Sequence, residues 1–176
     1  DNTTFATIHD CTDDYQQMAW RTFARWSSRL IDITASYENN QIERAFFSAG
    51  IESFATDGEN EEISLLANIH LDNDRRLTLG ADQLTQRLID GSNARTRDNL
   101  GVYAEYQHPV LAGNVQLGAR LDDNDDFGQH TSWRVSLYQP LSQSLPIAVT
   151  AAGGTGFRAP SLYEIAYNNG PFAFSP

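Results

Sequence analysis

Apolar residues recur at every second position through most of this chain, and a period of two admits few folds. Leu100, Val102, Ala104 and Tyr106 alternate with Gly101, Tyr103, Glu105 and Gln107. After a turn around Pro109 to Gly113, Val115, Leu117, Ala119 and Leu121 alternate with Gln116, Gly118 and Arg120. The pattern returns at Trp133, Val135 and Leu137, and again at Ile147, Val149 and Ala151. Upstream it runs through Trp20, Ala24 and Trp26, then Ile31 to Tyr37, Ile63 to Leu71, and Leu77 to Ala81. Successive side chains on a strand point to opposite faces, so each segment presents one apolar and one polar face. A helix needs apolar spacings of three and four, and no long stretch offers them. The reading is all-β: about eight antiparallel strands, many near ten residues, the length that crosses a bilayer as a tilted strand.

The connections are expected to differ at the two ends. Residues 27–29, 72–75 and 140–145 read as short turns, and residues 41–60, 89–97 and 122–131 as longer polar loops. Short turns at one end and long loops at the other belong to outer-membrane barrels. A soluble β-sandwich also alternates. Long strands and many ionisable groups on the polar parity favour the barrel. Trp20, Trp26, Tyr37, Tyr106, Trp133 and Phe157 fall on the apolar parity, as interface aromatics do, although ordinary β-propensity also places rings in strands. On the polar parity Arg21, Arg25, Asp32, Glu105, Arg120 and Arg134 are expected to face the lumen. Glu105, Arg120 and Arg134 could form a cross-strand ladder. Such a ladder either contacts a plug or solute or braces the wall.

Composition removes several function classes. With 12 Lys+Arg against 23 Asp+Glu the net charge is −11, a poor basis for binding nucleic acid. The single Cys11 excludes an internal disulfide or a CxxC site, and His9 and Cys11 find no partner pair with zinc spacing. Gly154-Thr-Gly-Phe-Arg-Ala159 fits a dinucleotide fingerprint, but Pro160 stands where the phosphate-binding helix should be under way. The acidic run Asp122 to Asp126 misses the calcium-loop register, because Gly128 arrives late and Trp133 holds the place of the closing Glu. It reads as a solvated loop. No nucleophile elbow is present, so nothing argues for an enzyme.

The segment Gly153-Gly-Thr-Gly-Phe-Arg-Ala-Pro-Ser-Leu-Tyr-Glu-Ile165 resembles a recurrent signature of TonB-dependent outer-membrane receptors. The stretch Gly118 to Trp133, with its arginine, acidic run, Phe-Gly, histidine and tryptophan, is similar to a hairpin of the cobalamin (vitamin B12) receptor branch, as is the strand opening Arg97-Asp-Asn-Leu-Gly-Val-Tyr103. The resemblance implies strands of a 22-stranded barrel with a plug in its lumen. It also implies uptake of a scarce small-molecule solute, cobalamin or an iron chelate (siderophore or haem), through the outer membrane of a Gram-negative bacterium, driven by TonB. The alternatives are a small free-standing barrel or a soluble binding module. The partners implied are outer-membrane lipid, the solute, and TonB acting through a plug that is not recognisable here. The whole chain, 1–176, is therefore expected to be an internal part of a longer receptor's barrel domain, without the plug or the closing strand. Phe127, His130, Arg158, Tyr163 and Tyr167 are the candidate solute contacts. No cofactor is expected; the family's calcium loops lie upstream of the matched region, so no metal ligand is transferred.

Overall fold

The computed structural model describes residues 11–91, 93–142 and 146–166; His9 and Tyr167 lie outside them. Eight antiparallel strands form a meander in strict sequence order: β1 (Cys11–Ser27), β2 (Ile31–Ser48), β3 (Ile51–His70), β4 (Arg76–Asp90), β5 (Asn93–Val110), β6 (Gly113–Asn124), β7 (Gly128–Pro140) and β8 (Ala148–Gly154). A short helix, α1 (Leu162–Ala166), follows β8. Among the described residues β1 and β8 do not pair with each other, so the sheet stays open. It is one layer, which removes the sandwich reading.

The registers preserve the sequence parity from strand to strand. Ile33, Ala67, Leu79, Ala104, Ala119 and Trp133 follow one another across the sheet, and so do Ile31, Ile69, Leu77, Tyr106, Leu117 and Val135. Their side chains form a single apolar face that no other described element covers. Ile63, Leu65, Leu100, Leu117 and Trp133 are each about half exposed or more. Among the described residues the buried apolar side chains are only Leu88 and Leu162. A water-soluble domain of this size would hide such a face in a core. Here the face is the outside of a wall.

The apolar band is bounded. Along β3 and the residue that follows it, the band runs from Ile63 to Leu71, eight residue steps; at about 3.3 Å per step and a tilt near 40°, that is ~20 Å across a membrane, close to the ~25 Å band of outer-membrane barrels. Past Ile63 the same face turns polar. Tyr37 donates to Glu61 at 2.7 Å, and Asn39 and Gln41 both donate to Glu59 at 2.9 Å. Trp20 packs on Tyr37 at this edge, with ring centroids 5.1 Å apart, where a ring with a polar tip suits the lipid–water boundary.

The expected long loops are not loops. Residues 41–60 continue β2 and β3 to a tight turn at Ala49 and Gly50, both with positive φ. Residues 89–97 continue β4 and β5, and the acidic run Asp122 to Asn124 is the end of β6, leaving only 125–127 in the turn. The physical reason is that water wets both faces beyond the band. Apolar alternation is no longer needed there, while the main-chain ladder continues to satisfy its N–H and C=O groups. Strands of 12 to 20 residues result, apart from β8 with seven.

The band makes depth the variable that decides mutational cost. Leu79→Arg, in mid-band, should destabilise vesicle-embedded protein by ~2–4 kcal/mol, whereas Gln83→Arg, on the same face at its edge opposite Ile63, should cost ~0–1 kcal/mol, read from urea unfolding of the two variants in the same lipid.

Candidate functional site

On the opposite face the strands bring together charges that are scattered in sequence. Arg120 on β6 is their centre. Its Nη1 and Nη2 donate to the two carboxylate oxygens of Asp82 on β4, both at 2.7 Å. Its Nε donates to both oxygens of Asp122 at 2.9 and 3.0 Å. Paired N–H···O bonds of this kind are the strong form of ion pairing. Neighbouring positions make room for the group. A side chain at Gly101 would collide with the Arg120 guanidinium, and one at Gly80 with the Tyr103 ring, which itself lies 5.7 Å from Arg120. Asn99 donates to Asp122 at 3.2 Å and accepts from Asn124 at 3.1 Å.

Nearer the β4–β5 turn a second network includes Arg97, only 3% exposed. Nη2 donates to Gln86 at 2.5 Å, and Gln86 donates to Asn60 at 3.1 Å. Nη1 donates to the main-chain oxygen of Pro160 at 2.7 Å and stands 3.6 Å from Asp126. Pro160 belongs to residues 155–166, which leave β8 and cross the polar face as a strap. The strap stacks Phe157 on His130, centroids 3.7 Å apart and nearly parallel, buries Leu162, and rests α1 against β4 and β5. Its helix is opened by a capping box: Glu164 N–H donates to Ser161 Oγ at 3.1 Å and Ser161 N–H donates to the Glu164 carboxylate at 2.7 Å. Between strap and wall lies a cavity of about 430 Å3. Gln86, Asn99, Asp122 and Ser132 line its wall side; Phe157 and Ser161 line the strap side.

The sequence-derived candidates divide accordingly. Phe127 and His130 come together, the imidazole Nε2 lying 3.0 Å from the Phe127 carbonyl oxygen, and both meet Phe157. Phe157 does not belong with the apolar-face aromatics: β8 ends at Gly154, so strand parity no longer governs the ring, and it turns onto the polar face. Arg158 stands apart, 3.5 Å from Glu164 with an 84% exposed side chain, and Tyr163 is half exposed on α1. Arg21, Arg25, Asp32, Glu105, Arg120 and Arg134 do share the polar face by register. Arg21 pairs with Glu38 at 2.9 Å and Asp32 with His70 at 2.7 Å. The expected ladder is different. Arg120 takes Asp82 and Asp122, and among the described residues Glu105 and Arg134 form no ion pair. Glu105 sits opposite Gly118, two pairs along the ladder from Arg120, and two carboxylates already occupy the guanidinium. Arg97, Gln86 and Asp82 were missed. Arg97 stands where the expected 89–97 loop meets the strand that opens at Arg97, and its odd-numbered parity with Asn99 and Gly101 is the available signal. Among the described residues no group of three or more His, Cys, Asp or Glu side chains is placed to hold a metal ion.

Two tests follow from this geometry. Asp82→Asn removes the charge and one of the two acceptors from a largely buried charge-assisted pair and should lower stability by ~1–3 kcal/mol, measured by urea unfolding in vesicles. Glu164 lies beyond the strands, and the Ser161 main-chain N–H and hydroxyl hold its carboxyl below the ordinary 4.5. With a lowered folded value, its contribution is full above that ordinary value and fades as pH falls through the folded one. Protease nicking within 155–166 should therefore rise on acidification through that window, and Glu164→Gln should flatten the response.

Comparison with known proteins agrees with the wall so described. A family model described as "TonB dependent receptor-like, beta-barrel" matches residues 2–176. The vitamin B12 transporter BtuB of Photobacterium profundum is 25% identical over 179 residues, covering 89% of this chain and 28% of that protein. The crystal structure of the siderophore receptor PirA from Pseudomonas aeruginosa superposes with a TM-score of 0.75 at 22% identity, covering 87% of this chain and 28% of that one; at that identity the likeness is one of fold. The chain thus spans a little over a quarter of the length of these relatives. An eight-strand meander with one bare apolar face, one hydrogen-bonded charged face and a family match over nearly its whole length has one consistent assignment: this chain belongs to the TonB-dependent receptor β-barrel family.

Proposed function

We propose that the sheet is part of the wall of an outer-membrane receptor barrel that takes up a scarce solute, cobalamin before any other, with TonB supplying the drive through a plug domain. The observation that carries the receptor reading is the division of the two faces. The apolar face suits lipid and the charged face suits a watery or plugged lumen, so Arg21, Arg25, Asp32, Glu105, Arg120 and Arg134 are lumen groups in this reading. The open edges of β1 and β8 are then seams to further strands of the same barrel, since an unpaired edge in lipid would leave its main-chain groups without partners. No covalent chemistry is called for: the barrel captures, and coupled movement releases.

Cobalamin is favoured by the likeness to the vitamin B12 transporter and by the Gly118 to Trp133 hairpin. That hairpin supplies Phe127 and His130 beside the strap, with Arg158 and Tyr163 on the strap itself. Tyr167 is retained as a contact on sequence grounds alone. Aromatic and amide-bearing side chains around a cavity of a few hundred Å3 suit a large solute held by ring faces and hydrogen bonds. An iron chelate is the second reading, favoured by the fold likeness to a siderophore receptor.

Outer membranes carrying the protein should bind cobalamin saturably at submicromolar concentration, and excess ferric siderophore should not compete. Tight saturable binding of a ferric siderophore with no response to cobalamin would move the assignment to iron uptake.

A further inference from the structure

We propose that Arg97 is the latch of a gate, and that the gate is the strap of residues 155–166. The strap is built to move as a unit. Its internal bonds are local: the Ser161–Glu164 capping box, the Arg158–Glu164 pair and one turn of helix. Its ties to the wall are of different kinds. At the base Thr155 exchanges hydrogen bonds with Trp133. In the middle Phe157 lies on His130. At the far end the Pro160 carbonyl accepts from Arg97, and Leu162 is buried against the wall. Thr155 to Gly156 is the natural hinge, where the extended backbone ends.

Arg97 differs from the other arginines of this face. Its guanidinium is almost wholly buried, between the strap at Pro160 and the Asp126–Phe127 turn, and among the described residues its Nε–H has no acceptor. Docking gains the Pro160 bond and helps to cover a side chain that carries an unpaired donor. Lifting the strap loses that bond and lets water reach Nε. The two positions are drawn close in free energy by one side chain, as a latch requires and a rigid brace does not. The cavity beneath is the space the strap partly covers. On the uptake function proposed above, a solute reaches the wall groups Gln86, Asn99 and Asp122 only after Pro160 leaves Arg97. Arg97 acts through the strap, so it is a positioning residue.

The test is cysteine labelling in outer membranes. In a Cys11→Ser background, Leu162→Cys reports strap lifting to a membrane-impermeant maleimide, and Ile51→Cys, at a wall turn and 73% exposed, reports the wall. Arg97→Gln should raise the labelling rate at position 162 several-fold and leave position 51 unchanged. Arg97→Lys should fall between, because an ammonium reaches Pro160 or Gln86 as a point charge but cannot fork to both; it also carries the comparison should Arg97→Gln fail to assemble. Equal rates at position 162 in all three would overturn the latch, as would a parallel rise at position 51, which would mean general loosening. The cobalamin on-rate should rise with strap lifting, and an unchanged on-rate in a variant with a freed strap would overturn the gate. If the unsubstituted protein binds no cobalamin, the solute reading fails, and the labelling comparison still decides the latch.

Discussion

Everything in this structure depends on the main-chain ladder between consecutive strands. A wall in lipid has no water to satisfy peptide groups, so each strand's N–H and C=O groups must find partners on its neighbours. The meander supplies them in strict order, β1 to β8. Once the ladder is fixed, side-chain parity is fixed with it, because a slip by one residue would exchange the two faces. The bulge near Phe46 and Phe47 is the one irregularity among the β2–β3 pairs, and it lies past the apolar band, where exchange of faces carries little penalty.

From that constraint the two chemistries follow. The lipid face needs bulk and no charge, and Ile, Leu, Val and Trp occupy it without further specification. The polar face can keep its charges only if they are paired or wetted, and the pairing is geometric. Arg120 takes the carboxylates that the register puts beside it, Asp82 across β5 and Asp122 two residues along its own strand. The glycines at 80 and 101 are part of the same solution, since a methyl group there would occupy the space of Tyr103 and Arg120.

The strap is the place where the wall stops being periodic. Beyond Gly154 the chain leaves the sheet, Ala159-Pro160 disfavours its return as a strand by removing a main-chain donor, and Ser161 starts a helix of one turn. The motif that identifies the family in sequence is thus also the segment that folds back over the polar face. It holds a ring of the site's aromatic stack, the buried Leu162, and the carbonyl that Arg97 grips.

Alternation by itself determined the fold class, the approximate number of strands, and which face Arg21, Asp32, Arg120 and Arg134 would share. Parity is a local property of a strand, and local order survives in a sequence. The motif Gly153 to Ile165 carried the family for the same reason. The strands' full length was not legible, because beyond the apolar band water allows any polar residue on either face and 41–60 and 89–97 lose their signal. Nor were the partners of Arg120, the burial of Arg97 or the inward turn of Phe157. Those depend on which residues the register sets side by side, as with Arg97 and Gln86 on adjacent strands, and on a strap returning 63 positions later in the chain to meet Arg97. Only the tertiary structure decides such contacts, since their energy arises between segments and no spacing in the sequence encodes it.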